Sequence, residues 1–320
     1  MFLSQIPTRE DIESAHDLIR PYIHRTPVLR SDQLDAWAGA SLFFKCENQQ
    51  KIKAFKARGG MHAVLRLSSE DRAKGLVTHS SGNHAQAIAL AAKQVGTQAF
   101  IVMPSNAPKV KVAGVEALGG QVIFCEPTLE ARVSTVEQVQ AATGATFIHP
   151  FDDYDVIAGQ ATTAKELIED CPGLDLVMAP VGGGGLLSGT ALSVHYFHPT
   201  AHVIAGEPEG AADAVLSFRS GRVEKAPYIQ TVADGLLTTL SERTLEIIQR
   251  YVNDIWLVQD SEILEAMERV YEGIGQLIEP SCAVPLAAFK RHGQAYQGKK
   301  VGVILTGGNV DPDKVPFSIQ

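Results

Sequence analysis

Four consecutive glycines stand between an apolar run at residues 174–181, which predicts a buried strand, and a helical pattern at residues 186–196. They are Gly182, Gly183, Gly184 and Gly185. Because glycine has no Cβ atom, several backbone N–H groups can turn toward one point there. That point lies at a helix N-terminus, whose partial positive charge favours an anion. The pattern therefore predicts a cradle for a phosphate group, with a flexible turn as the alternative.

The residues around the glycines indicate which kind of phosphate-bearing ligand fits. A P-loop ends in Gly-Lys-Ser/Thr, and no lysine follows these glycines. Gly183, Gly185 and Ser188 imitate part of the dinucleotide fingerprint, which leaves an NAD-dependent oxidoreductase as an alternative. That fingerprint needs an acidic residue some twenty residues on, and the sequence offers only Glu207. A cofactor with a single phosphate fits better.

Three further segments carry small polar or basic residues where strands end or helices begin. Residues 79–84 read His-Ser-Ser-Gly-Asn-His, residues 306–309 read Thr-Gly-Gly-Asn, and residues 54–60 read Ala-Phe-Lys-Ala-Arg-Gly-Gly. Each alone is compatible with ordinary turn chemistry. Ligands of open α/β sheets, however, bind at the carboxyl ends of strands. Four such segments in one chain therefore predict one shared cleft.

Short apolar runs alternate with helical patterns, which is typical of an α/β fold with mainly parallel strands covered on both faces. The runs predict strands at residues 41–46, 76–79, 99–103, 121–125, 146–148, 174–181, 202–207, 254–258 and 300–305. Helices are expected between most of them, for example at residues 84–95, 129–143 and 261–277. The sequence has no low-complexity linker, so we expect two closely packed lobes.

Composition and charge exclude several classes of protein. Of the 320 residues, 45% are hydrophobic and 20% charged, as in a globular protein with a large core. A formal net charge of −8 argues against nucleic acid and anionic membranes as partners. No apolar run approaches the ~20 residues that span a bilayer. The four cysteines lie far apart without metal-type spacing, which indicates reduced thiols in a cytoplasmic protein.

Together the four segments resemble the fold-type II pyridoxal-phosphate (PLP) enzymes, in the group of serine/threonine dehydratases, serine racemases and 3-hydroxyaspartate dehydratases. The resemblance covers about residues 12–311 and rests on Phe-Lys-x-Arg-Gly, Ser-Ser-Gly-Asn-His, Gly-Gly-Gly-Gly-Leu and Gly-Gly-Asn-Val-Asp. It implies a tryptophan synthase β-like α/β fold with two lobes. Residues 1–74 and 150–320 would form the large PLP-binding domain, and residues 75–149 the small domain that closes over substrate.

The resemblance also assigns roles to single residues. Lys56 is the expected Schiff-base lysine, and Ser81 is the second catalytic residue. The cofactor would be held by Phe55, Lys56, Asn83, Gly182, Gly183, Gly184, Gly185, Leu186 and Thr306. The substrate α-carboxylate would be bound by Ser80, Ser81, Asn83 and His84. Without the resemblance, Ser81 is typical of a residue in the N-cap region of a helix.

Physical arguments support two of these assignments. A lysine that forms an imine must lose its charge, and burial beside a cation such as Arg58 lowers the pKa of the amine. Thr306 matches the position that faces the pyridine nitrogen. Its hydroxyl cannot supply the negative charge that would keep this nitrogen protonated, so rapid loss of a β-substituent is favoured over a long-lived carbanion.

The implied activity is an ammonia-lyase (dehydratase) reaction that converts serine, threonine or 3-hydroxyaspartate to a 2-keto acid and ammonia. Ser81 matches the residue that serine racemases use on the opposite face of the α-carbon. A racemase with dehydratase side activity is therefore the alternative. The resemblance also implies a homodimer.

A divalent cation is implied as well. Glu207, Asp213 and the carbonyl of Ala211 match the cation site of serine racemase-like enzymes. Such hard oxygen ligands, completed by water, suit Mg²⁺, Mn²⁺ or Ca²⁺. The alternative is that Glu207 and Asp213 are solvated surface acids.

Two cationic side chains indicate which substrate the enzyme prefers. Where the family reads Thr-Gly-Ser before Phe-Lys, this chain has Ile52, Lys53 and Ala54. Lys53 therefore adds a cation at the expected active-site entrance, and Arg132 aligns near the mouth of the small lobe. Together they would bind a distal carboxylate and favour 3-hydroxyaspartate. The alternative is that Lys53 only faces water.

Overall fold

Two units, each built around its own β-sheet, make up the chain. The computed structural model describes residues 3–315, 317 and 318. Unit 1 comprises Met1–His24 and Lys56–Gly159, and unit 2 comprises Arg25–Phe55 and Gln160–Gln320. The predicted domain boundaries at residues 74/75 and 149/150 concern a closing motion and stay a prediction.

Helices and strands alternate along most of the chain. The helices are α1 (Arg9–Ile19), α2 (Asp32–Ala38), α3 (Lys56–Arg66), α4 (Ser69–Ala73), α5 (Asn83–Val95), α6 (Lys109–Glu116), α7 (Leu129–Thr143), α8 (Tyr154–Asp170), α9 (Gly185–Phe197), α10 (Asp213–Ser220), α11 (Glu242–Tyr251), α12 (Asp260–Ile274) and α13 (Pro280–His292). The strands are β1 (Val28–Leu29), β2 (Ser41–Cys46), β3 (Leu76–His79), β4 (Ala99–Pro104), β5 (Gln121–Cys125), β6 (Thr146–Phe147), β7 (Leu176–Pro180), β8 (His202–Pro208), β9 (Asp254–Val258) and β10 (Lys300–Leu305).

The nine predicted strands are confirmed, with bounds that differ by at most two residues. The sequence did not indicate β1, because two residues are too short to show a periodic pattern. The predicted α/β class with mainly parallel strands is also confirmed: β1 pairs antiparallel with β2, and the other pairs of the two sheets are parallel.

The sheet of unit 2 has the order β1-β2-β10-β7-β8-β9 and is covered on both faces. Successive residues of β7 alternate between two cores. Leu176 and Met178 pack with residues of α2, α12 and α13, whereas Val177 and Ala179 pack with residues of α8, α9 and α11. This two-sided burial explains why the strand sequence is apolar throughout.

The sheet of unit 1 has the order β5-β4-β3-β6. Leu76 of β3 packs with residues of α3 and α5 on one face, and Val77 packs with residues of α7 on the other. Helix α7 begins after Thr128, whose Oγ1 accepts a hydrogen bond from Ala131 N at 3.1 Å. Within the described residues, no helix is both long and apolar enough to cross a membrane.

Candidate active site

Lys56 is the first residue of α3, and its amine points at a main-chain acceptor in the same unit. The Nζ atom donates a hydrogen bond to the carbonyl oxygen of Pro150 at 2.8 Å. Burial lowers the pKa of Lys56 to about 8. At a pKa of about 8, a substantial share of the amine is neutral near physiological pH, as a nucleophilic or proton-accepting lysine requires. The sequence suggested Arg58 as a second cause, but the structure gives burial alone.

The Ser-Ser-Gly-Asn-His loop connects β3 to α5. The helix begins at Asn83, and its N-cap is Gly82, which has no side chain to cap the helix. Ser81 therefore lies in the N-cap region, one residue before the N-cap itself, and its side chain does not cap the helix. Ser80 Oγ accepts a hydrogen bond from Gly82 N at 3.2 Å, whereas the hydroxyl of Ser81 has no hydrogen-bond partner among the described residues. The first-turn N–H groups of α5 have no acceptor within the helix, which suits an anion.

His84 lies in the first turn of α5 and is buried. Its Nε2 atom is 3.1 Å from the carbonyl oxygen of Ile148. Burial, followed by the nearby charge of Lys56, holds the pKa of His84 well below its usual value. The imidazole is therefore neutral, and its position beside Lys56 places the loop and the amine in one neighbourhood of unit 1.

Arg132 lies in the first turn of α7, at the same edge of the unit 1 sheet. Burial lowers the pKa of His79, the last residue of β3, and the Arg132 guanidinium lowers it further. The Nε atom of Arg132 is buried without a hydrogen-bond partner in the described part of the chain. Arg132 thus offers an unsatisfied donor close to the strand end that carries Ser80 and Ser81.

The glycine loop of unit 2 connects β7 to α9, as the sequence predicted. Gly184 has φ +86°, and a Cβ atom there would lie 2.8 Å from side-chain atoms of Leu240 and Thr244. A Cβ on Gly182 would lie 3.1 Å from the Cα atom of Leu236. Position 184 therefore requires glycine and position 182 leaves little room for a side chain. The loop leads directly into the 13-residue helix α9, which starts at Gly185. A glycine-walled loop at a helix N-terminus fits a phosphate group.

Thr306 follows β10 in unit 2 and is buried. Its carbonyl oxygen accepts a hydrogen bond from Phe55 N at 3.0 Å. Its side chain is a hydrogen-bond partner of the Cys282 thiol, whose pKa burial raises to about 12. The Thr306 hydroxyl thus contacts an uncharged thiol, and the Glu279 carboxylate, which accepts a hydrogen bond from Asn309 N at 2.9 Å, lies near the same thiol. Phe55 is partly buried and packs against the core on the α9 side of the sheet.

Glu207 and Asp213 form a buried acidic pair in unit 2, so the interpretation as solvated acids is wrong. The two carboxylate oxygens of Glu207 accept hydrogen bonds from Ala214 N at 2.6 Å and Val215 N at 2.9 Å, in the first turn of α10. Burial raises the pKa of Glu207 to about 8 and that of Asp213 to about 7, and the charge of Asp213 also raises the former. The Oδ2 atom of Asp213 has no hydrogen-bond partner among the residues described. An orphaned oxygen in a buried pair of carboxylates fits a cation.

The predicted cation site also includes Ala211, which ends a short 3₁₀ turn between β8 and α10. No group of three or more His, Cys, Asp or Glu side chains suited to a metal occurs in the described chain. Two carboxylates therefore need main-chain carbonyl and water ligands to complete a coordination shell, which is acceptable for Mg²⁺ and Ca²⁺.

The structure places the predicted residues in two groups. Unit 1 contains Lys56, Ser80, Ser81, Asn83, His84 and Arg132, and unit 2 contains Lys53, Phe55, the glycine loop, Thr306, Glu207, Ala211 and Asp213. The sequence did not reveal the roles of Pro150, Leu236 and Thr244 as neighbours of the reactive groups. The carbonyl of Pro150 accepts the hydrogen bond from Lys56, and Leu236 and Thr244 limit the space beside the glycine loop. Neither kind of contact leaves a pattern in the sequence.

The comparison with known families gives one extended match. Residues 19–307 match the family described as "Pyridoxal-phosphate dependent enzyme". This range spans the Lys56 segment, the Ser-Ser-Gly-Asn-His loop, the glycine loop and Thr306.

Individual proteins are similar over nearly the whole chain. A β-hydroxyaspartate dehydratase from Paracoccus denitrificans is 48% identical over 313 residues, which cover 98% of this chain and 99% of the relative. A serine racemase from Arabidopsis thaliana is 46% identical, covering 94% of this chain and 92% of the relative. The crystal structure of serine racemase from Dictyostelium discoideum has a TM-score of 0.91 at 44% identity, covering 95% of this chain and 99% of that one.

Proposed function

The chain belongs to the family of pyridoxal-phosphate-dependent enzymes, and from this premise we propose that it is an ammonia-lyase that acts on 3-hydroxyaspartate. The reaction would convert this β-hydroxy amino acid to a 2-keto acid and ammonia. The observation that carries the proposal is the amine of Lys56, which burial makes easy to deprotonate and which lies beside the Ser-Ser-Gly-Asn-His loop. Similarity over nearly the full length to a β-hydroxyaspartate dehydratase supports the choice of reaction.

Lys56 would hold the cofactor covalently and then move the α-proton of the substrate. When bound, PLP supplies the electron sink that stabilises negative charge at the α-carbon and so allows the β-hydroxyl to leave. The Pro150 carbonyl orients the amine of Lys56, and burial keeps it available in the neutral form. A general base is most effective when its pKa lies near the working pH, and a pKa of about 8 meets this condition.

The unit 2 residues would hold the cofactor's non-reacting parts. Gly182, Gly183, Gly184 and Gly185, with Leu186 N–H, would bind the phosphate at the N-terminus of α9. The Thr306 hydroxyl would face the pyridine nitrogen, and Phe55 would pack against the ring. Asn83, at the start of α5, would hydrogen-bond the 3-oxygen of the ring.

The unit 1 residues would bind the amino acid. Ser80, Ser81, Asn83 and His84 surround the N-terminus of α5, where hydroxyl and N–H donors suit the α-carboxylate. The His84 ring is already engaged with Ile148, so its main-chain N–H is the suitable donor. Arg132 would bind the second carboxylate of 3-hydroxyaspartate, because its buried Nε lacks an acceptor among the described residues.

Glu207, Asp213 and the Ala211 carbonyl would bind a divalent cation such as Mg²⁺, Mn²⁺ or Ca²⁺. Glu207 lies near the end of β8 and Asp213 is the first residue of α10, and both are buried. A bound cation would offset the negative charge of the two carboxylates. Its role would be to stabilise unit 2 and to activate the enzyme indirectly.

Two further properties belong to this proposal. The four cysteines are free and buried, which supports a cytoplasmic enzyme with reduced thiols. The assembly would be a homodimer, with a small amino acid as the only other partner and no role for nucleic acid or membrane.

Serine racemase activity is the second candidate function. It is favoured by the Ser81 hydroxyl, which has no hydrogen-bond partner among the described residues and is free to act as an acid or base. The similarity to serine racemases at 46% and 44% identity supports it.

A substrate panel separates the two candidates. The purified enzyme is given L-serine, D-serine, L-threonine and the isomers of 3-hydroxyaspartate, and keto acid, ammonia and the chirality of remaining serine are measured. We expect one isomer of 3-hydroxyaspartate to have a kcat/KM at least about tenfold above that of serine, since a paired second carboxylate contributes about 1.4 kcal/mol or more. Racemisation that outpaces keto-acid formation from every substrate would replace the ammonia-lyase assignment.

A further inference from the structure

Ile52 and Lys53 have a backbone conformation that their side chains disfavour. Their φ angles are +56° and +52°, and they are the only residues other than glycine with positive φ within residues 3–315, 317 and 318. This left-handed region is costly for side chains with a Cβ atom, and most of all for β-branched ones such as isoleucine. The two residues directly precede Ala54, Phe55 and Lys56.

Main-chain contacts hold this turn in place without help from the Lys53 side chain. Lys53 N donates to Gln50 O at 2.8 Å, and Gly308 N donates to Lys53 O at 2.9 Å. Asn309 Nδ2 donates to Ile52 O at 2.8 Å, and Ala54 forms a bridge with Gly307. The turn would therefore form at lower cost with glycine at position 53. A lysine kept at such a position indicates a function for its side chain.

The ammonium group of Lys53 is available for a ligand. The residue is exposed, and its side chain has no hydrogen bond or ion pair with another described residue. Two residues lie between Lys53 and Lys56, so their Cα atoms are at most about 11 Å apart in any conformation. The rigid turn also places Lys53 next to the 306–309 segment, which contains Thr306. The flexible side chain of Lys53 can extend from this turn toward an anion near the reacting centre.

We propose that Lys53 is a specificity-determining residue that selects a dicarboxylic β-hydroxy amino acid by attracting its second carboxylate. The proposal rests on the proposed ammonia-lyase function and adds a determinant in unit 2 to Arg132 of unit 1. Hydrogen bonds to Gln50, Gly308 and Asn309 fix the main chain of this turn, so that less conformational freedom is lost when the lysine binds the anion. Because the ammonium is exposed, its contribution is electrostatic and decreases as salt is added.

The test compares 3-hydroxyaspartate with serine in four holoenzyme variants. Lys53→Gln removes the charge, and Lys53→Arg keeps it. Lys51→Gln removes a neighbouring lysine charge from the same turn, and Ile52→Gly relieves backbone strain while the charge remains. We expect Lys53→Gln to lower kcat/KM for 3-hydroxyaspartate roughly three- to tenfold while serine changes less than about 1.5-fold. Lys53→Arg should restore most of the loss, and the two neighbouring variants should keep the wild-type ratio.

Salt dependence and melting temperature complete the test. The wild-type preference for 3-hydroxyaspartate should shrink as NaCl rises, and the Lys53→Gln preference should shrink less, because only Arg132 then attracts the second carboxylate. Lys53→Gly should melt no lower than wild type, since glycine relieves the strain at this φ. If wild type turns over neither substrate, the proposed function fails. If wild type is active but Lys53→Gln leaves the substrate ratio and its salt dependence unchanged, the role of Lys53 is overturned and the ammonia-lyase function stands.

Discussion

Burial changes the charge state of the groups that matter most. The same desolvation lowers the pKa of Lys56 to about 8 and raises the pKa values of Glu207 and Asp213 to about 8 and about 7. In each case the uncharged form gains, because an apolar surrounding penalises the charged one. The amine of Lys56 therefore loses its proton more easily. The charged form of the acidic pair, by contrast, would need a compensating cation.

The acidic pair predicts a response to metal removal. Treatment with EDTA should lower the melting temperature by about 3–8 °C, and excess Mg²⁺ or Mn²⁺ should restore it, because a ligand of the folded state stabilises by mass action. The measurement is thermal unfolding with and without chelator. Asp213→Asn should abolish the response. Glu209→Gln is the matched control, since it removes a neighbouring acid that pairs with Arg291 at the surface. Identical melting curves with EDTA and with Mg²⁺ would contradict the site.

At this scale, the sequence can single out a residue where the side chain itself would carry the proposed chemistry. Lys56 and the pair of Glu207 and Asp213 could be singled out because their residue types and neighbours are informative. Pro150 could not, since a main-chain carbonyl leaves no mark in the sequence. The sequence placed Ser81 in the N-cap region of α5, and the structure puts Gly82 at the N-cap itself, a difference of one residue that local patterns do not resolve.

Two strand-to-helix connections carry the proposed anion-binding groups. The β3–α5 loop presents Ser80 and Ser81 at one helix start, and the β7–α9 loop presents the four glycines at another. Each connection follows a parallel strand at its carboxyl end, so each places a polar loop at the edge of its own sheet where ligands of such sheets bind. Alternating apolar and helical patterns sufficed to predict these elements to within two residues.

The left-handed turn at Ile52 and Lys53 could not be predicted. Isoleucine and lysine favour other conformations, so local preference argues against the turn. Hydrogen bonds from Gly308 and Asn309, more than 250 residues away in the chain, impose it. Such long-range contacts are absent from any short window of sequence.

Gly184 gives a prediction at the scale of the element. Gly184→Ala should destabilise the enzyme by about 2–4 kcal/mol and weaken PLP binding, because the new methyl group meets Leu240 and Thr244 at a φ of +86°. Chemical unfolding and titration of the apoenzyme with PLP measure the two effects. Gly275→Ala is the control: its φ is +64°, but no atom lies within 4 Å of the added Cβ, so only the backbone cost of about 1 kcal/mol applies. Equal PLP affinity in the Gly184→Ala variant and wild type would contradict the proposal that the glycine loop binds the cofactor.

At the scale of the whole molecule, contacts within the chain define two units. Unit 1 contains the sheet that lies within residues 75–149, together with α1, α3, α4 and the start of α8. Helix α3 packs on α5 through a close approach at Gly60, where an added Cβ would lie 3.2 Å from the Ala87 Cβ. This packing depends on contacts between distant segments, so local sequence patterns could not assign α3 to that unit. Which residues move during closure stays a prediction.

The covalent attachment of the cofactor is the central claim, and one measurement tests it directly. The holoenzyme is reduced with borohydride, digested and analysed by mass spectrometry to locate the phosphopyridoxyl group. We predict a single modified residue, Lys56, and no modified lysine in a Lys56→Ala variant treated in the same way. Lys93→Ala, which alters an exposed lysine of α5, should label like wild type. A wild-type adduct on any other lysine, or no adduct at all, would contradict the account.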